Sequence, residues 1–162
     1  MYRWIVFVHV ASVFAFLMAH GVSAFVAFAV RAERQPERLR ALLALSGSSY
    51  TIMYLSLLLI LVSGITLGFM QSWWGQGWIW AALVLLVLIA AAMGILGPRD
   101  FGPMRKAAGL PYFERGRPQP AVPPQPDERL LALAARTRPA FLAAIGAVGL
   151  ALLLWLMMFK PF

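Results

Sequence analysis

The chain has 162 residues, 62% of them hydrophobic and only 12% charged, with a mean hydropathy of +0.79. Soluble domains average about 45–50% apolar and about 25% charged residues, so this composition excludes a soluble globular class and points to one membrane domain. Cysteine is absent, which removes disulfides, thiolate metal sites and thiol nucleophiles, and the net charge of +8 is not a nucleic-acid footprint, because twelve of the fourteen Lys and Arg lie in two segments between apolar runs.

The first apolar run, about Trp4 to Val30, is interrupted only by His9, Ser12, His20 and Ser23. It exceeds the roughly 20 residues needed to cross a bilayer, so it tilts or protrudes. Val22-Ser23-Ala24 resembles a signal-peptidase site, but the run is too long for a signal h-region and its positive charge follows it, so it reads as a retained anchor. The segment 31–47 carries Arg31, Arg34, Arg38 and Arg40 against Glu33 and Glu37, which marks the cytoplasmic side.

The second span covers about 48–70. Ser49, Ser56 and Ser63 recur every seven residues, with Thr66 and Met70 continuing the stripe, so one polar face turns toward protein. Gly64 and Gly68 add a small-x-x-x-small pair. The connection from Gln71 to Trp80 has no charge but holds Trp73, Trp74, Trp78 and Trp80, an aromatic belt at the non-cytoplasmic interface. Span three, about 79–96, is expected to stop at Gly97-Pro98, and Ala90, Gly94 and Gly97 near its end suit close packing.

The second cytoplasmic segment, 98–138, carries eight basic and four acidic residues. Six prolines between Pro111 and Pro126 predict an extended or polyproline-like stretch. Asp127 reads as the N-cap of a short amphipathic helix, 128–137, at the membrane surface. Span four, about 139–159, is rich in Ala143, Ala144, Gly146, Ala147 and Gly149, with Trp155 and Lys160 anchoring its far end. The fold expected is all-α: a polytopic membrane protein with four transmembrane helices in a bundle and both termini on the non-cytoplasmic side.

Five short motifs occur together: WIVFVHV from Trp4, an arginine-rich first loop, SGITL from Ser63, WGQGWIW from Trp74 and LMMFKPF from Leu156. The combination resembles the uncharacterised four-helix integral membrane family known as domain of unknown function 2269. That family is loosely similar to the copper-resistance protein D family and to the membrane protoporphyrinogen oxidase. The resemblance covers most of the chain. It implies a four-helix bundle with haem or copper contact, His9 matching the first-helix histidine, and it implies no activity. His20 matches no motif. The chain departs from the better-known relatives in having no second-helix histidine, no membrane-embedded carboxylate and no intramembrane arginine or lysine, which argues against protoporphyrinogen oxidation or copper transport by this chain alone.

His9 and His20 lie eleven residues apart, about 20° in azimuth and about 16 Å in rise on an α-helix, so they share a face with one in each leaflet. One reading is structural: a neutral imidazole bonded to the serine stripe, worth roughly 1 kcal/mol. The other is ligation of a tetrapyrrole by His9, His20 or both. This is either a haem with a methionine or a partner's histidine opposite, or a five-coordinate chlorophyll-type magnesium. A single metal ion shared by both is excluded by their separation. The acids all lie among arginines in the loops, where solvated ion pairs account for them, and no catalytic constellation emerges.

These observations support two functions. The first is an accessory or structural subunit of a larger bacterial membrane complex, respiratory or photosynthetic, which binds partner helices and, through its arginine-rich loops, anionic lipids. The second is a tetrapyrrole-binding electron-transfer or pigment protein using a first-helix histidine. Either would sit in the bacterial inner (cytoplasmic) membrane as a multi-pass protein.

Overall fold

The computed structural model describes residues 1–114 and 116–162. Its elements are α1 (Tyr2–Ala32), α2 (Pro36–Ser48), α3 (Tyr50–Met70), a 3-10 turn (Trp73–Gly75), α4 (Gly77–Ala107), β1 (Tyr112–Glu114), β2 (Arg117–Gln119), α5 (Asp127–Arg136) and α6 (Pro139–Phe159). Four helices, α1, α3 with α2 leading into it, α4 and α6, are long and apolar enough to cross a membrane. Within hydrocarbon the backbone has no water to bond, and uninterrupted helices satisfy it internally. Pro36 and Pro139 each open a helix in its first turn, where their missing N–H costs nothing.

The spans contact one another in the order α3, α1, α6, α4: α1 packs most extensively on α3, α4 packs on α6, and a lesser α1–α6 contact joins the two pairs. α3 approaches α4 near its Met70 end, where Gly68 faces Ile79 and Trp74. Here the chain packs a small cluster of Trp78, Ile79, Ala82 and Leu156. The C-terminus closes over it: the N–H of Trp78 donates to the Phe162 carbonyl at 3.0 Å, and Lys160 Nζ sits 4.0 Å from the centre of the Trp73 ring. Trp78 therefore differs from the belt residue expected. It is 2% exposed, buried beside Ala82 against α6, whereas Trp80 is 54% exposed as a belt residue should be.

The tightest core lies at the opposite, arginine-rich end. Val26 and Val30 of α1, Leu39 and Leu43 of α2, Met104 and Ala107 of α4, and Leu130 and Ala134 of α5 form one buried cluster. α1 and α4 reach it because each has 31 residues, about 46 Å of helix against roughly 30 Å of hydrocarbon. The segments expected to be loops are thus a folded cap. Segment 31–47 contains α2, whose Leu39 and Leu43 lie on one face at i, i+4 spacing. Between α1 and α2, the N–H groups of Gln35 and Arg34 donate to Glu33 Oε1 and hold its carboxyl below the usual carboxylate range.

α4 does not stop at Gly97-Pro98 but continues through Pro98 and Pro103 to Ala107. An internal proline costs about 3 kcal/mol, and full burial of Met104 and Ala107, with Phe101 packed against the same core, offsets it. Part of the proline-rich stretch is extended as expected but paired, β1 with β2 antiparallel and Tyr112 opposite Gln119. α5 begins one residue earlier than expected, with Pro126 at the cap position. Asp127 is inside the helix, and its carboxylate pairs with Arg40 of α2 at 2.5 Å instead of capping. The apolar face of α5 is spent on the protein, through Leu130 and Ala134.

Gly102 is where α4 meets the hairpin: a Cβ there would lie 2.9 Å from the carbonyl oxygen of Phe113, a backbone atom that cannot swing aside. Gly102→Ala is expected to destabilise the protein by about 1–3 kcal/mol in detergent unfolding, the overpacking cost outweighing the gain in helix propensity. Gly94→Ala, with nothing within 4 Å, should show no such loss.

Candidate functional site

The polar side chains at membrane depth meet along the α1–α3 seam. Each serine hydroxyl has one proton to give. Ser63 and Thr66 of α3 donate back to their own helix, Ser63 Oγ to the Leu59 carbonyl at 2.5 Å and Thr66 to Val62 at 2.8 Å, and Ser49, at the junction of α2 and α3, donates to the Ser46 carbonyl at 2.8 Å. His9 Nδ1 lies 2.9 Å from Ser63 Oγ, and Ser23 Oγ lies 3.1 Å from Ser49 Oγ, both within hydrogen-bond distance across the α1–α3 seam.

With the Nδ1–H tautomer the ring donates to Ser63 while that hydroxyl donates to Leu59, and Nε2 carries the lone pair. Gly64 makes the approach close, since a Cβ at that position would lie 3.3 Å from His9 Cε1. From His9 to Ser23 is fourteen residues on α1, and from Ser63 to Ser49 is fourteen on α3, so the helices run antiparallel in a seven-residue register. Phe16 occupies the midpoint of that register on α1 and Ser56 the midpoint on α3, with Ser12 and Ser56 both buried.

His20 has a different neighbour. Its ring stacks on Phe16, with centroids 5.6 Å apart and planes within 6°. Its Nε2 faces α6, 3.2 Å from where a Cβ on Gly146 would be. The two histidines, expected on one face, are therefore received by two helices: His9 by Ser63 and Gly64 of α3, His20 by Gly146 of α6. Among the described residues no group of three or more His, Cys, Asp or Glu is placed to hold a metal ion. Met18 of α1 and Met158 of α6 are largely exposed.

Two hollows lie away from the histidines. One, of about 270 Å³, is on the outer face of α4 and is lined by Trp80, Leu83, Val84, Val87 and Leu88. The other, of about 400 Å³, lies at the arginine-rich end, where Ala44, Gly47 and Tyr50 face Arg105 and the hairpin. Sequence reading did not single out Arg105, because nothing in the sequence signals its pairing with Gly47 and Tyr50, more than fifty positions away. Comparison with family models, with curated proteins and with solved structures gives no match to this chain.

The seam gives a direct test. In a double-mutant cycle of His9→Leu and Ser63→Ala, unfolding in detergent should reveal a coupling of about 0.6 to 1.7 kcal/mol, the range for interhelical hydrogen bonds. Strictly additive losses would mean that the bond carries no stability.

Proposed function

We propose that this protein is an accessory transmembrane subunit of a larger electron-transport complex, respiratory or photosynthetic, in the bacterial inner membrane, and that α4 is the helix it offers to its partners. The observation that carries this reading is an unfilled glycine ridge. In lipid, helices associate through close van der Waals packing at small residues. The glycines of α3 and α6 already have receivers inside the chain: Gly64 meets His9, Gly68 meets Ile79 and Trp74, Gly146 meets His20 and Gly149 meets Ile89. Gly94 and Gly97 of α4 meet nothing within 4 Å.

These two continue a stripe at helical spacing from Trp80 through Val84, Val87 and Ala90, all exposed. Only 11% of the most apolar stretch of α4 is buried within the chain, half the 22% of each other span. A helix with that much uncovered surface and an open backbone ridge suits a neighbouring transmembrane helix. The arginine-rich cap would then face the cytoplasm, by the positive-inside rule.

A second reading is carried by His9. In the Nδ1–H tautomer the ring donates to Ser63, the arrangement that second-shell partners give a metal-ligating histidine, and Nε2 carries a lone pair. In donor chemistry His9 would serve to hold a haem-type ring, which would supply one-electron transfer when bound. His20 does not fit, because α6 closes its Nε2 side.

Two experiments separate these readings. Membranes solubilised in mild detergent should yield the protein in a larger assembly by native mass spectrometry, and Gly94→Leu with Gly97→Leu should release it while leaving its own unfolding unchanged. Recovery of the wild-type chain only as a free monomer would overturn the subunit reading. For the second, the purified protein should show a Soret absorption that His9→Ala removes and His20→Ala retains; a colourless, folded preparation excludes it.

A further inference from the structure

The cleft at the arginine-rich end holds one cationic side chain in a fixed position. The Arg105 guanidinium is held in place by two backbone carbonyls: Nε donates to Pro111 at 2.7 Å and Nη1 donates to Leu43 at 2.7 Å. Nη2 rests against Gly47, 2.8 Å from where a Cβ would be. The guanidinium has five N–H donors, so most of its donor capacity, on Nη1 and Nη2, remains. The ion pairs among the described residues are Arg40 with Asp127 and Lys106 with Glu114 at 3.3 Å, so the neighbouring acid is already engaged and no carboxylate neutralises Arg105. The charge is fixed, part-buried and uncompensated.

Its surroundings are mostly apolar and aromatic. Arg105 Cζ lies 5.7 Å from the centre of the Tyr50 ring, and Ala44, Leu110, Tyr112 and Phe113 line the 400 Å³ cleft, with Ser48 and Gln119 as its other polar side chains. Tyr50 opens α3, so the cleft sits where that span leaves the hydrocarbon. From Tyr50 the ridge continues at four-residue steps through Tyr54 and Leu58, both more than half exposed to the surroundings of the helix. A polar, cationic socket thus runs directly into an apolar track along a membrane helix.

We propose that this cleft is a binding site for an anionic phospholipid, whose phosphate diester, not balanced by a headgroup ammonium, pairs with Arg105 and whose acyl chain lies along Tyr50, Tyr54 and Leu58. The charge complementarity is that of a guanidinium fork with phosphate oxygens, and the headgroup layer is the depth at which such pairs form. This goes beyond a general attraction of basic loops to the membrane surface, because it assigns one lipid to one arginine. It rests on the membrane reading of α3 and not on any partner subunit or cofactor.

The test uses the full chain, reconstituted in vesicles of phosphatidylglycerol and phosphatidylcholine in equal parts, then extracted for native mass spectrometry. Phosphatidylglycerol should be retained over phosphatidylcholine by about fivefold, the effect of one cationic side chain at a lipid headgroup, and Arg105→Gln should abolish the preference. Because Arg105 also ties α2 to the hairpin, Ala44→Trp provides the second arm: it plugs the cleft from an exposed position and keeps the arginine, and it too should abolish the preference with the melting temperature unchanged. Equal retention of the two lipids, or an undiminished preference in the folded Ala44→Trp variant, would overturn the proposal. So would displacement of the retained phosphatidylglycerol by an equal concentration of inorganic phosphate, which would assign the site to a free anion.

Discussion

The structure depends on how hydroxyl protons are spent where there is no water. An unsatisfied polar group in hydrocarbon is expensive. Ser63 of α3 and Ser49 just before it turn their protons onto the backbone carbonyls of Leu59 and Ser46, and their oxygens meet His9 and Ser23 of α1 at matching intervals. The pairing sets direction and register at once, since sliding one helix by a single residue would break both bonds and drive the His9 ring away from Gly64. With α1 fixed against α3, the last turns of α1 project beyond the bilayer at the position where Val26 and Val30 become the floor of the cap.

The distribution of packing follows from the solvent on each side. In the cap, water provides a hydrophobic driving force, and most of the fully buried large side chains gather there: Leu39, Leu43, Met104, Leu130, Val26 and Val30. Between the helices in lipid that force is absent, because the chains outside are as apolar as leucine. The spans are accordingly lightly covered, and what holds them is the polar seam, the glycine contacts and the closed ends. The tryptophan end works by a different device, a lysine held over two indoles beside the returning C-terminus.

The four membrane-length helices were legible because hydropathy over twenty residues is a local property. The seven-residue serine stripe was legible too, and Ser63 and Ser49 do face protein. What sequence reading missed depended on contacts between distant segments. Pro98 reads as a helix stop only while Phe101, Met104 and Ala107 are thought to have nothing to pack against. Trp78 and Trp80 are indistinguishable two residues apart, and only the position of α6 buries one and exposes the other. For the histidines, azimuth was an insufficient guide: a shared face of α1 can lie between two neighbours, and Ser63 on one side and Gly146 on the other draw His9 and His20 apart. Arg105 carried no signal at all, since its role comes from an arrangement of carbonyls.

The continuity of α4 through Pro98 has a mechanical meaning. Pro98 brings no N–H to the carbonyl of Gly94, and Pro103 brings none to that of Arg99, so the rod has two soft joints just where it passes from lipid to cap. On one side of these joints lies the uncovered surface of Trp80, Val84 and Gly94; on the other lie Met104 and Ala107, clamped by three other helices. A torque applied to the membrane half is thus transmitted to the cap as a bend concentrated at the joints and not as a rigid rotation of the whole rod. The helix is a shaft with a built-in coupling, able to follow a moving neighbour without tearing the core in which it is anchored.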